Sequence, residues 1–227
     1  MDANFPLELD HILVWVSPKA PEAQILAEFG LQRKDYKEHI GQGTASYFFF
    51  FENAYLELIW IDDEQAALDN AARTGIDLRS RASWRETGAS AFGVGWRRRS
   101  PSLEELPLFP VKYSAEWMEP ETYLELSDNF NQTTEPLYFI IPEYMSVPQR
   151  IIAEPIVPHP LGIKNVTSAR VTLPQREQLS PVASELSRHT PVAFEAGTDS
   201  LLELTFDGGS RGQTLDARPT LPIVLKF

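Results

Sequence analysis

The chain has 227 residues, of which 43% are hydrophobic and 23% are charged, and this composition is typical of a globular protein rather than a disordered one. It contains no cysteine, which excludes disulfides and thiolate metal sites, so any metal ion would need His, Asp or Glu ligands. The net charge of −12 repels phosphate backbones, and we expect no nucleic acid partner. We recognise neither a signal peptide nor a stretch apolar enough to cross a bilayer, so we expect a cytoplasmic protein without membrane contacts.

The first sixty residues predict one βαβββ unit. A buried strand over 9–16 precedes a helix that starts near Pro21 and ends at Gly30. Three extended segments follow, over 31–36, 44–51 and 54–61. A further helix over 64–73 leads away from this unit.

The same pattern recurs twice along the chain. The second copy has a strand over 90–97, a short helix over 102–106 and strands over 111–118, 122–127 and 137–141. The third has a strand over 166–173, a helix over 178–188 and strands over 191–195, 200–206 and 222–227. The proline-rich segment 142–160 between them is predicted to be a linker that also contains His159. Similar tetrapeptides that begin at Tyr55, Tyr123 and Leu201 support the repeat, and the fold class is α+β with units over 5–145 and 160–227.

His11 and Glu57 are the residues whose setting indicates chemistry. Alternation along a strand puts Leu9, His11, Leu13 and Trp15 on one face, opposite Asp10, Ile12, Val14 and Val16. On the later strand, Tyr55, Glu57 and Ile59 share a face. A carboxylate among large apolar neighbours must be paired, protonated or bound to a cation, and a His and a Glu on two strands of one sheet make half of a divalent-metal site. A core histidine and a salt bridge from Glu57 to Arg97 are the structural alternatives.

Three segments of this region carry a family resemblance. Leu9–His11 and Tyr55–Leu58 resemble the first and last strands of a module of the vicinal oxygen chelate superfamily. His39–Thr44 is similar to the His-Pro-Gly-x-Gly-Thr run of glyoxalase-like domain proteins, with Ile40 in place of the proline. The resemblance implies that the first two units pair into a cupped mixed sheet and that His11 and Glu57 occupy metal-ligand positions, whereas the third related C-terminal module is predicted from the repeat pattern.

The second unit departs from the enzymes of that superfamily. Its opening strand, 91–96, has no His, Glu or Gln at a ligand position, and its final strand, 137–141, has none either. Glu125 would be a ligand only if its strand were the equivalent of the one that carries Glu57. Glu203, on the last unit, is expected to have a structural role.

Two functions remain open from the sequence. The first is a metal-dependent lyase, isomerase or dioxygenase of the glyoxalase-like type, in which a divalent ion on His11 and Glu57 polarises the substrate and Glu57 or His39 moves a proton. The alternative is a metal-free protein that binds or sequesters a small molecule. Three or more convergent His or carboxylate groups would favour the enzyme. In both cases the ligand is expected to contact the following residues: His39, Gln42, Thr44, Trp15 and Tyr55.

The third unit bears on the partners of the chain. Its strands are apolar on both faces, so a module without a partner would leave an apolar face in water. We therefore expect a homodimer in which two third units pair across a two-fold axis. The alternative is that the third unit packs on the back of the first two.

Overall fold

The computed structural model describes residues 5–100, 106–174 and 178–227, and confirms an α+β protein. The first unit comprises β1 (Leu7–Trp15), α1 (Ala23–Glu28), β2 (Lys34–His39), β3 (Thr44–Phe50) and β4 (Tyr55–Ile61). Helix α2 (Glu64–Thr74) follows as predicted. Its first turn is capped by Asp63, which accepts a hydrogen bond from the Ala66 amide, and it ends at Gly75 in the left-handed conformation.

The second unit follows two short helices that the sequence did not predict, α3 (Leu78–Ala82) and α4 (Trp84–Thr87). Its strands are β5 (Phe92–Arg98), β6 (Val111–Tyr113), β7 (Leu124–Leu126) and β8 (Leu137–Ile140). The helix predicted over 102–106 falls almost entirely on 101–105, which lie outside the described residues.

The first two units form one mixed sheet of eight strands in the order β2-β3-β4-β1-β5-β8-β7-β6. The first strand of each unit pairs in parallel with the last, β1 with β4 and β5 with β8, and β1 meets β5 antiparallel at the centre. The pairing of the first two units into one mixed sheet is therefore confirmed. It also shows that β8, not the strand of Glu125, is the equivalent of β4.

The third unit forms a second sheet. It contains β9 (Val166–Pro174), α6 (Pro181–His189), β10 (Val192–Gly197), β11 (Leu201–Phe206), β12 (Thr214–Asp216) and β13 (Ile223–Lys226). The strand order is β10-β9-β11-β13-β12. Its first strand lies between β10 and β11, whereas β1 lies beside the last strand of its own unit, so the strand order differs from that of the first two units.

The third unit packs on the back of the eight-stranded sheet. One buried hydrophobic cluster includes Val14 and Trp60 of the first unit together with Val171, Leu204 and Ile223 of the third. Ring contacts cross the same interface, with centroids 5.2 Å apart for Tyr138 and Phe194 and 4.6 Å apart for Phe51 and Phe206. The apolar face of the third unit is thus covered within the chain. The homodimer remains a prediction, but an exposed apolar face no longer supports it.

The proline-rich segment 142–160 is not the linker that the sequence predicted. It contains a 3₁₀ turn (Glu143–Met145) and α5 (Val147–Ala153), and α5 packs against β3 and β4. His159, expected to lie in a linker, is buried; its Nδ1 accepts a hydrogen bond of 2.8 Å from the Gln32 amide, and its ring packs against Phe51. Prolines therefore shape an ordered segment here. No helix within the described ranges is long and apolar enough to cross a membrane.

Candidate functional site

The concave face of the eight-stranded sheet encloses a cup. Its wall is mainly apolar and includes Leu13 and Ile59 from the first unit and Leu126 and Phe139 from the second. Polar side chains interrupt this wall at its floor and its mouth. An apolar cleft with a few convergent polar groups is the usual form of a small-molecule site.

His11 and Glu57 meet at the floor of the cup. His11 Nε2 lies 3.7 Å from Glu57 Oε2, and both side chains are nearly inaccessible to solvent. The two polar tips therefore lie on the same side of the sheet, as the sequence predicted. Ser46 Oγ donates a hydrogen bond of 2.5 Å to Glu57 Oε1, which satisfies that side of the carboxylate. Glu57 is not paired with Arg97.

A β-bulge gives His11 a second carboxylate neighbour. The register of β1 against β5 shifts between Leu9 and His11, so Asp10 has no partner on β5. The predicted alternation is therefore wrong for two residues: Leu9 joins the core on the back of the sheet with Ile12, and Asp10 turns to His11.

Asp10 holds the imidazole in place. Its Oδ1 lies 3.0 Å from His11 Nδ1, while its Oδ2 accepts a hydrogen bond of 2.9 Å from the Val147 amide and lies 3.4 Å from Nη1 of Arg97. Arg97, which also pairs with Glu8, compensates this fully buried charge. Because a carboxylate can only accept, Nδ1 carries the proton and Nε2 is the nitrogen directed at Glu57.

Gly95 makes room for the His11 ring, and the sequence argument missed this role. It lies directly across from His11 on β5, where a Cβ atom would come within 2.3 Å of His11 Cε1. The ring stacks on Tyr55 at a centroid distance of 4.2 Å and meets the edge of Phe139 at 5.2 Å. β5, the opening strand of the second unit, thus has no metal-ligating side chain at this position, and its Gly95 leaves space for the ring of His11. A glycine in mid-strand was the available signal.

The loop between β2 and β3 brings two predicted residues to the cup. His39 and Gln42 line it, whereas Thr44 lies behind them. Thr44 Oγ1 accepts a hydrogen bond of 2.9 Å from Gln42 Nε2 and is hydrogen-bonded to His39 Nδ1, also at 2.9 Å. Gly43 has a φ of +78°, and a Cβ there would come within 2.3 Å of the Ala67 amide, so glycine is required for the loop to pack against α2. Burial lowers the pKa of His39 to about 4, so its imidazole is neutral at physiological pH.

The second unit contributes polar partners to this loop. Gln42 Oε1 accepts hydrogen bonds from Tyr113 Oη at 2.9 Å and from Trp117 Nε1 at 3.2 Å. Tyr113 Oη also lies 3.1 Å from Asn70 Oδ1, so its single proton is shared between the two amide oxygens, and burial raises the pKa of this phenol to about 12. The network joins the two units across the cup.

Two buried N–H donors in the lining have no hydrogen-bond partner among the described residues, Asn70 Nδ2 and Trp15 Nε1. The other end of the Asn70 amide is oriented by Arg73, whose Nη2 donates to Oδ1 at 2.9 Å. Because a buried donor without a partner costs about 1–3 kcal/mol, a ligand or water that brings an acceptor would be favoured here. Trp15 and Tyr55, both predicted to contact the ligand, line the cup.

Arg150, on α5, supplies a cation at the mouth of the cup. Its guanidinium carbon lies 5.5 Å from the ring centroid of Phe48, 5.8 Å from that of Phe50 and 5.2 Å from that of Tyr55. Lys37 Nζ lies 4.9 Å from the ring centroid of Trp117. The sequence argument missed Arg150 because it assigned that segment to a linker.

Glu125 and Glu203, the carboxylates considered in the second and third units, are engaged elsewhere. Glu125, on β7, pairs with Arg98, its Oε2 2.8 Å from Nη2. Glu203 pairs with Lys226 and Arg170, in keeping with its expected structural role. Neither is available as a metal ligand.

The donor set does not fit a resident divalent ion. No group of three His, Asp or Glu side chains within the described ranges could hold a metal, and only His11 Nε2 and Glu57 Oε2 converge. Catalytic zinc sites usually have three protein ligands, and here Asp10 is already engaged by a backbone amide and Arg97. The cup is suited to holding an organic molecule and to moving a proton at its floor.

Comparison with known proteins supports the resemblance. Residues 9–105 match the model of a family described as a glyoxalase-like domain. A hypothetical protein from Staphylococcus aureus, 11% identical, superposes with a TM-score of 0.59 over 97% of this chain and 98% of that one, so the two share a fold. Methylmalonyl-CoA epimerase from Mycobacterium tuberculosis, 10% identical, aligns over 60% of this chain and 86% of its own with a TM-score of 0.35. The search of curated proteins found no match.

Proposed function

We propose that this chain binds a small, largely apolar organic molecule in the cup, without a resident metal ion; the match of residues 9–105 to a glyoxalase-like domain supports a site in this part of the chain. The observation that carries the proposal is the lining: an apolar wall with a few polar groups, among which the described residues provide only one His–carboxylate pair. The two N–H groups without partners, on Asn70 and Trp15, favour a ligand with an acceptor atom.

Binding is tested by titrating the full chain with a panel of one-ring and two-ring aromatic compounds, followed by calorimetry and by tryptophan emission. Trp15 and Trp117 line the cup, so occupation should change their fluorescence. Leu137→Trp, which puts a bulky ring into the wall, should weaken binding at least about tenfold, as overpacking of an occupied cavity predicts. Leu215→Trp, on β12, is the matched control and should leave binding unchanged. A panel without a binder, or equal binding by both variants, would refute the proposal.

The metal question has its own measurement. Protein purified without chelator is analysed for Zn, Mn, Fe and Ni, and then titrated with Zn²⁺ and Mn²⁺. We expect no stoichiometric metal and unchanged ligand binding after treatment with a chelator. A stoichiometric ion that is lost in both His11→Ala and Glu57→Gln would restore the metal-dependent enzyme.

The Asp10–His11–Glu57 array favours a second candidate, a lyase or isomerase that moves a proton next to a carbonyl group. The Glu57 carboxylate lines the cup and is oriented by Ser46, which favours it as the group that takes a proton from a bound substrate, and the unprotonated Nε2 of His11 beside it is a second proton acceptor. His39, neutral at physiological pH, is a further group that could exchange a proton. Dioxygenase chemistry needs a redox metal, for which the donor set is unsuited.

Proton transfer is tested by deuterium exchange. Small 2-oxo acids and aldehydes are incubated with the protein in D₂O, and loss of the C–H signal next to the carbonyl is followed by NMR. Exchange that is abolished by Glu57→Gln and retained by Glu125→Gln, the matched control on β7, would establish the enzyme. Exchange at the same rate without protein would exclude it for these compounds.

A further inference from the structure

The guanidinium of Arg150 has capacity for a further partner. Its Nε donates a hydrogen bond of 2.8 Å to the Met145 carbonyl, and no carboxylate of the described residues lies within ion-pair distance of it. A guanidinium carries five N–H donors in a planar fork, so both terminal nitrogens remain for a ligand. Arg150 lines the cup, and its guanidinium lies over the rings of Phe48, Phe50 and Tyr55, which favour a cation at this position.

A second cation strengthens the positive potential at this mouth. Lys37 lies over Trp117, a residue of the cup wall, and has no ion-pair partner among the described side chains. Burial lowers the pKa of Lys37, and the positive charge of Arg150 lowers it further, so the two cations act on each other. The Glu57 carboxylate offsets part of this effect at Lys37. The two like charges repel beside an apolar cleft, and the carboxylate of a ligand near them would reduce that repulsion.

The helix that carries Arg150 is positioned by packing. Val147, Ile151 and Ile156 of this segment contact Phe48 and Phe50 of β3, so α5 lies against the rim of the cup. The Val147 amide also bonds to Asp10, which connects the start of α5 to the floor residue His11. Arg150 is thus held by the same cluster that shapes the cup.

We infer that the ligand of the cup is a small aromatic or aliphatic carboxylic acid, whose apolar body lies in the cup and whose carboxylate is bound by Arg150. The inference rests on the proposed function and gives the ligand its chemical class. The planar guanidinium fork matches a carboxylate through two parallel hydrogen bonds, and this match is lost with an uncharged amide.

The test compares acids with their amides on the full chain. The probes are 2-naphthoic acid with 2-naphthamide and benzoic acid with benzamide, measured by calorimetry at neutral pH. The wild-type protein should bind the acid about tenfold to a hundredfold more tightly than the amide of the same body, as expected for hydrogen bonds to a charged group. Arg150→Gln should lose this preference while binding the amide as the wild type does, and Arg150→Lys should keep part of it. Inorganic phosphate, which lacks an apolar body, should not compete.

Arg85→Gln is the matched control. Arg85 also lies over an aromatic ring, that of Trp84 at 4.1 Å, and donates to a backbone carbonyl, that of Thr220 at 3.1 Å, but it is not part of the cup. This variant should retain the full preference for the acids. Melting curves of all variants show that the fold is kept.

Each outcome separates the two proposals. If wild-type protein binds amide and acid equally, the carboxylate inference is wrong and the proposed binding function stands. If Arg150→Gln keeps the preference for the acid, or if phosphate competes as well as the acids do, Arg150 does not recognise a carboxylate of an apolar ligand. If neither member of either pair binds, these aromatic bodies do not enter the cup, and both proposals fail for them.

Discussion

Replacing Gly95 by alanine tests whether β5 must leave space for the His11 ring. The added Cβ would lie 2.3 Å from His11 Cε1 and 2.7 Å from both ring nitrogens, well inside van der Waals contact. The ring has little freedom to move away because Tyr55 stacks on it and Asp10 binds its Nδ1. The substitution therefore forces strain into the floor of the site.

The expected free-energy change follows from two opposing effects. Overpacking a well-filled site costs about 1–3 kcal/mol, while an alanine at a backbone position it can adopt stabilises by about 0.4–1 kcal/mol. Gly95→Ala should therefore lower the free energy of unfolding by about 1–2 kcal/mol in the wild-type background. In a His11→Ala background the clash is absent, and the same change should be neutral or stabilising by up to about 1 kcal/mol.

Thermal melts of the four proteins in this double-mutant cycle measure the coupling. For a chain of this length, 1 kcal/mol corresponds to a shift in the melting temperature of about 2–4 °C. The sign of the Gly95→Ala effect should change or vanish when His11 is removed. Equal destabilisation in both backgrounds would refute the reasoning, since the strain would then not come from the imidazole.

Three further predictions concern stability and assembly. The pKa of His39 is about 4 in the folded protein against an ordinary value of about 6.5, so the unfolded state takes up the proton first and stability falls as the pH drops through this window, by about 3 kcal/mol in full. Urea melts at several pH values across that range give the free energy of unfolding, and this free energy should depend less steeply on pH in His39→Asn than in the wild type. An equally steep pH dependence in the variant would contradict the assignment to His39. Arg81 is fully buried and its terminal nitrogens donate to backbone carbonyls of the 130–135 segment, so Arg81→Met should cost about 3–5 kcal/mol, while Arg79→Met, on the exposed side of α3, should cost under about 1 kcal/mol. If Arg81→Met and Arg79→Met lose similar amounts of stability, the hydrogen bonds from Arg81 to the 130–135 backbone are not what stabilises this region. Light scattering on the full chain checks the homodimer, which a single-chain mass at micromolar concentration would rule out.

Local patterns were sufficient for the elements whose signals are local. β1, β3, β4 and α2 were predicted with ends within about two residues, because alternation, capping by Asp63 and the C-terminal Gly75 depend on neighbouring residues only. The proximity of His11 and Glu57 followed from placing them on the first and last strands of one unit, and these strands pair in parallel. The family resemblance found in this same region is confirmed by the match over 9–105.

Features that depend on a distant partner were not predictable in this way. The bulge at Asp10 exists only against β5, and it reverses the face of Leu9 because one extra residue shifts a two-residue period. The prolines in 142–160 led to the prediction of a linker. That prediction was wrong because proline content does not show whether a segment packs against another surface of the protein. Arg150 reached the cup only because α5 does.

The sequence by itself determined the βαβββ order of the first unit, the resemblance of its strands and loop to glyoxalase-like domains, and the proximity of His11 and Glu57. Those inferences rest on side-chain periodicity and on short motifs, which are properties of contiguous residues. Only the tertiary structure decided that Gly95 leaves the space His11 needs, that Glu125 is occupied by Arg98, and that the third unit covers the back of the sheet. These depend on which surfaces exclude water together, and that is a property of the whole packed chain.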